Sequence, residues 1–173
     1  MTTCNPPKTE AEARQQLAAL YRLCHLYGWT DLSSTHISTR IPGRDDAYLM
    51  NAHDEMFDEI TASSLCEIGF DGQMRTPGRV LNQAGHEIHS AVLRARPEVS
   101  FVLHSHTRAG VAVSAMPQGL LPISQHSGFV LGTLSLHPFQ DSTAVADEGA
   151  ALAADLGTNY VMQTHFAIDA RSL

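Results

Sequence analysis

The sequence predicts a single α/β domain in which helices and strands alternate along the chain. Residues 81–115, LNQAGHEIHSAVLRARPEVSFVLHSHTRAGVAVSA, read as helix, break at Arg96-Pro97, apolar strand over 99–103, and second helix. Residues 36–40 alternate in polarity and pair with 48–50 across a Pro-Gly turn, as a hairpin does. The length of 173 residues, 43% of them apolar and 17% charged, suits one hydrophobic core and no disordered tract.

In chain order, residues 1–8 form a polar tail and 9–173 the domain. Thr9 caps a helix in capping-box register with Glu12. That helix reaches about Tyr27, carries Leu17, Leu20, Tyr21 and Cys24 on one face, and stops at Gly28. A polar loop leads into the hairpin. Residues 51–60 form a loop, Thr61 caps a helical turn, and strand 66–70 ends in an Asp71-Gly72 turn. After the helix–strand–helix unit, residues 119–123 and 128–136 read as short apolar strands. Residues 143–156 form an Ala-rich helix ended by Gly157, and 160–162 a last strand leading into Gln163-Thr164-His165.

Composition narrows the function. A net charge of −7 with no basic cluster argues against a nucleic-acid partner. Lys8 is the only lysine, so Schiff-base chemistry has almost nothing to use. Cys4, Cys24 and Cys66 are odd in number and widely spaced, which fits a reducing cytoplasm. Neither a signal-peptide apolar region nor a membrane-spanning run is expected, and the expected location is cytoplasmic.

Ten histidines stand out. His104 and His106 fall at the end of a strand, where a period of two puts both side chains on one side. Two such imidazoles make half of a tetrahedral metal site, or simply close a strand with polar groups; spacing leaves both open. His53 is a candidate for a pocket mouth. His25, His126 and His137 read as surface or structural histidines.

Several stretches together resemble the class II aldolase/adducin family: GWTDLSSTHISTRIPGRDDAYLMN, EITASSLCEIGFDG, NQAGHEIHSAVLRARPEVSFVLHSHTRAGVAVSA, PISQHSGFVLGTLSLHPF and DEGAALAADLGTNYVMQTH. The resemblance implies a three-layer α/β/α sandwich around a mixed, mostly antiparallel sheet, with homo-oligomers, often cyclic tetramers. It implies a divalent ion, usually Zn2+, held by His104, His106 and His165. The activity implied is that of a lyase acting on a small hydroxy-carbonyl, sugar-like substrate through a metal-stabilised enediolate, with no Schiff-base lysine.

The sequence departs from that family in three places. Aldolases of the family carry a glutamate four residues before a helix histidine; counting back from His89 lands on Gly85. His86, about 60° around the helix from that face, is the candidate replacement for the proton carrier. Where sugar-phosphate aldolases grip phosphate, this chain has Ser34-Thr35-His36 and Asn82-Gln83. That makes His36, Asn82 and Gln83 candidates for holding a small polar, unphosphorylated substrate and draws the chain toward the adducin-like branch. The family's Asn-His-Gly appears as Thr164-His165-Phe166, and two further helices would follow in the family, so the expectation is a domain incomplete at its C-terminus with apolar surface exposed. Two alternatives follow: a non-haem oxygenase using Fe2+ on the same three histidines, and a non-catalytic adducin-like assembly domain.

Overall fold

A computed structural model describes residues 5–138 and 145–165, apart from the side chains of residues 145–147 and 165. The chain divides into two compact units, Met1–His106 and Thr107–Leu173.

The first unit begins with α1 (Glu10–Leu26). Thr9 caps it, its side chain accepting from the Glu12 N–H as the capping register predicts. Strands β1 (His36–Arg40) and β2 (Ala47–Met50) form the expected antiparallel hairpin, with Ser38 opposite Met50 and Arg40 opposite Tyr48. Gly43, at φ 76°, supplies the left-handed residue the Pro-Gly turn requires. Strand β3 (Cys66–Gly69) adds beside β2. Helix α2 (Gln83–Ala95) then leads to β4 (Phe101–His104), which pairs antiparallel to β1. The sheet order is β3-β2-β1-β4.

Period-two alternation gives this sheet two faces, each covered by a helix. Ala13, Leu17, Tyr21 and Cys24 of α1 pack with Ile37, Ala47, Leu49 and Phe57 in one core cluster. Leu93 of α2 packs with Tyr48, Met50, Cys66 and Ile68 in the other. The result is the α/β/α layering the family resemblance implies. The Tyr21 hydroxyl locks the first layer: it donates to Asn51 Oδ1 at 2.6 Å and accepts from the Ile37 N–H at 2.9 Å. Arg40 holds the second, donating to carbonyls of Leu93, Arg96 and Val99 and so satisfying the C-terminal end of α2.

The second unit contains α3 (Arg108–Ser114), α4 (Gln125–Leu131), β5 (Leu134–Pro138), α5 (Val145–Leu156) and β6 (Val161–His165). Strands β5 and β6 pair in parallel, Leu134 opposite Val161 and Pro138 opposite His165. Ser135 and His137 alternate onto the buried face of β5. Ser135 donates to the Leu156 carbonyl at the end of α5.

Two expected strands are corrected here. Residues 119–123 form turns and bends around Gly119, at φ 60°. The run 128–136 is split between α4 and β5. Ser124 and Ser127 form a reciprocal capping box that starts the helix. A short apolar run does not by itself distinguish strand from helix; the cap decides it. The last strand is also longer than residues 160–162, and the first two residues of the expected helix 143–156 lie outside the described residues.

Candidate functional site

The site is assembled where β1, β4 and α2 meet. Residues 36, 38, 102 and 104 share the α2-covered face of the sheet, because His36 pairs with His104 and Ser38 with Val102. The strand ends at His104, yet two residues later His106 brings its Nε2 to 2.9 Å from the Nε2 of His104. The rings meet edge to face, centroids 4.8 Å apart. The outer nitrogen of His106, Nδ1, lies 2.9 Å from Asp31 Oδ2.

Asp31 comes from the loop after α1, which Asn82 holds in place. The Asn82 side chain caps α2 by accepting from the Gly85 N–H and donates its amide to the Ser33 carbonyl. Both ends of Asn82 are thus used in joining α2 to the Asp31 loop. Gln83 is exposed and bonded to Glu87 one turn along the helix, at 2.8 Å.

His36 lies flat against His104, with ring centroids 4.8 Å apart and planes within 14°. Its Nδ1 is 2.8 Å from Nε2 of His89, whose own Nδ1 is 2.6 Å from the Ser38 hydroxyl. A row of groups therefore runs Ser38–His89–His36, then by stacking to His104, His106 and Asp31. Burial dominates its electrostatics. It lowers the His36 pKa to about 3, reinforced by His104 and His106. It lowers His104 to about 4 and puts His89 well below the usual imidazole range. These three imidazoles are neutral at pH 7.

The glycine at position 85 now has a steric reason. A Cβ there would lie 3.1 Å from Cδ2 of His36 and 3.2 Å from its Nε2. The imidazole of β1 fills the space next to the helix backbone where a side chain from residue 85 would begin.

His86 is not brought to this row. Its Nδ1 is 2.9 Å from the Tyr48 hydroxyl, and its charged neighbours are Glu87, Arg94 and Asp71. Among the described residues no hydrogen bond or ring contact joins it to His36, His104 or His106. His165 ends β6 in the second unit, and its side chain lies outside the described residues. His53 is exposed and contributes to the field on His36. His137 is buried in the second unit, with Nδ1 2.7 Å from Asp155. A cavity of about 220 Å³ in that unit, lined by Pro117, Gln118, Gly119, Leu136 and Pro138, holds no titratable side chain.

Sequence reasoning missed Asp31, Ser38 and His89 as members of the site. The last two left a signal: Ser38 lies two residues from His36 on a strand, and His89 one helical turn from Gly85.

The donor set fits a borderline divalent ion. Two nitrogens bound at about 2.0–2.1 Å to one tetrahedral ion stand about 3.3 Å apart, so the 2.9 Å pair needs to open by only a few tenths. A carboxylate on the second nitrogen is the usual support of a metal-binding imidazole. Among the described residues no group of three or more His, Cys, Asp or Glu side chains forms a full metal set.

Comparison with known proteins identifies the family. Residues 15–168 match the model of the Class II Aldolase and Adducin N-terminal domain. A Pseudomonas aeruginosa protein named for the aldolase class 2 group is 49% identical over 152 residues, covering 87% of this chain and 58% of that protein. Alpha-adducin of Mus musculus is 39% identical, over 87% of this chain and 21% of its own length. An aldolase II superfamily protein from Pseudomonas syringae superposes with a TM-score of 0.87 at 45% identity, covering 92% of this chain and 65% of that one. L-fuculose 1-phosphate aldolase from Glaciozyma antarctica gives a TM-score of 0.79 at 27% identity, covering 93% and 66%. The chain thus spans less than two thirds of the length of each of these relatives. It is a member of the class II aldolase and adducin N-terminal domain family.

Proposed function

We propose that this domain carries a metal-dependent, aldolase-type lyase site for a small hydroxy-carbonyl compound, with His104 and His106 as metal ligands. The observation that carries the reading is the convergence of the two Nε2 atoms with Asp31 behind His106. Family membership supports a divalent ion in general. The imidazole donors favour Zn2+, with Fe2+ the alternative. When bound, the ion supplies Lewis-acid stabilisation of the oxygen charge that develops as a carbon–carbon bond breaks.

The protein's own groups do the rest. His104 is kept neutral by burial, the charge state a metal-binding imidazole requires. Asp31 orients His106 by accepting from its Nδ1–H. His36 faces the substrate beside His104. Asn82 and Gln83 border the same end of α2, with Asn82 acting through the loop that carries Asp31. The substrate stays small and polar, and a homo-oligomer remains the expected assembly.

A second reading is an assembly domain without catalysis. It is favoured by Gly85 standing where aldolases of the family carry a glutamate, and by the 39% identity to alpha-adducin.

Metal analysis by mass spectrometry on untagged protein separates the readings. The expected result is close to one zinc or iron per chain, lost in His104→Ala. In Asp31→Asn the affinity falls about 10- to 100-fold, the usual effect of removing such a support. Folded protein that takes up no metal when offered it overturns the lyase reading and leaves the assembly domain.

A further inference from the structure

The row Ser38–His89–His36 has a direction, and hydrogen bookkeeping decides it. Each neutral imidazole carries one N–H and one bare nitrogen, and a hydroxyl carries one hydrogen. The Ser38 side chain is fully buried, and the one partner of its Oγ among the described residues is Nδ1 of His89. If His89 donated to Ser38, the serine hydrogen would be buried with no acceptor, at a cost of about 1–3 kcal/mol. Ser38 must therefore donate to Nδ1 of His89. His89 then has its proton on Nε2 and donates it to Nδ1 of His36, 2.8 Å away. His36 in turn has its own proton on Nε2.

That last nitrogen has no hydrogen-bond partner among the described residues, and it is not among the fully buried unpaired side-chain atoms either. It is also the edge of the ring that crowds Gly85 and flanks His104. We propose that Ser38 and His89 are positioning residues that fix His36 as a hydrogen-bond donor, its Nε2–H directed at an oxygen of the bound substrate. His36 is then an electrophilic partner to the metal ligands and neither a third ligand nor a base, since its outward nitrogen has no free lone pair. The site selects a substrate with an oxygen acceptor there, a carbonyl, carboxylate or hydroxyl. Gly85 completes the mounting by leaving room for the ring. The substrate half of this inference rests on the lyase reading above, whereas the direction of the row stands without it.

Histidine tautomers are read directly by long-range proton–nitrogen correlation spectra of metal-free, 15N-histidine-labelled protein at neutral pH. Signals are assigned by their loss in His36→Gln and His89→Gln. The expected spectrum shows His36 and His89 each as the single Nε2–H form. Ser38→Ala is expected to lose that single form at both rings, and Ser38→Thr, which restores a hydroxyl, to recover it; a merely structural serine would move neither. Wild-type His36 with its proton on Nδ1 overturns the proposal, and so does a His36 pattern unchanged in Ser38→Ala. Should Ser38→Ala not fold, the wild-type spectrum decides alone. Glycolate added to the zinc-loaded protein is expected to shift the His36 Nε2 proton; glycolate that leaves it unmoved overturns the oxygen-facing half. Metal content, measured separately, tests the lyase reading, so the two failures are distinguishable.

Discussion

His86 and His89 stand three positions apart on α2, both buried, both with Nδ1 against a hydroxyl. His86 meets Tyr48 of β2, and among the described residues its side chain makes no other hydrogen bond. His89 meets Ser38 of β1, and its second nitrogen passes the connection to His36 and so to the His104–His106 pair. A rotation of about 60° around the helix separates a structural histidine from one tied to the site. Nearness to Gly85 along the chain singled out His86; the helical turn from Gly85 leads to His89.

The largest expected effect contrasts the two directly. His89→Ala leaves a cavity and two unpaired buried groups and should cost about 3–4 kcal/mol of stability. His86→Ala leaves the Tyr48 hydroxyl without its partner and should cost about 1–2 kcal/mol. Urea unfolding of both variants checks this, and equal losses would erase the distinction.

A smaller effect sharpens it from the side of the glycine. Gly85→Ala pushes a methyl against the His36 ring at 3.1 Å, an overpacking expected to cost about 1–3 kcal/mol. In an open helix interior the same change stabilises by about 1 kcal/mol. The sign should therefore reverse in a His36→Ala background, where the ring is gone. A stabilising Gly85→Ala in the wild type would show that the ring gives way.

The smallest effect is the pH dependence. Burial lowers both His86 and His89 below the usual imidazole value, His89 the further. In the unfolded chain each takes up a proton near pH 6.5, so the unfolded state binds more protons below that pH. The stability these groups contribute is complete above about pH 6.5 and falls as the pH drops, by up to about 1.4 kcal/mol per pH unit per group. Metal-free His89→Gln should flatten the acid side of the stability curve more than His86→Gln does. Equal flattening would mean the two sites are equally shielded from water.

Much of the first unit was legible because its signals are local. Thr9 with Glu12, the Pro-Gly turn, and the break at Arg96-Pro97 bound α1, the hairpin and α2 nearly where the structure has them. In the second unit the run after Gly128 misled, since four or five apolar residues suit either period and the Ser124–Ser127 cap outweighed them. At the site, His36, His104 and His106 were visible as residues, but not their supports. Asp31 meets His106 across 75 positions, and His89 meets Ser38 across 51.

Residue type and short-range period are enough to specify the helices and strands of the first unit, and composition alone gives the scarcity of lysine that disfavours Schiff-base chemistry. They also carry the family likeness. Which nitrogen faces which partner depends on the sheet register that sets His36 beside His104, and on the docking of α2 that lowers His89 onto both His36 and Ser38. Hydrogen bonds have a direction only once every donor and acceptor in a buried row is in place, so the role of His36 emerges from packing and not from its position in the chain.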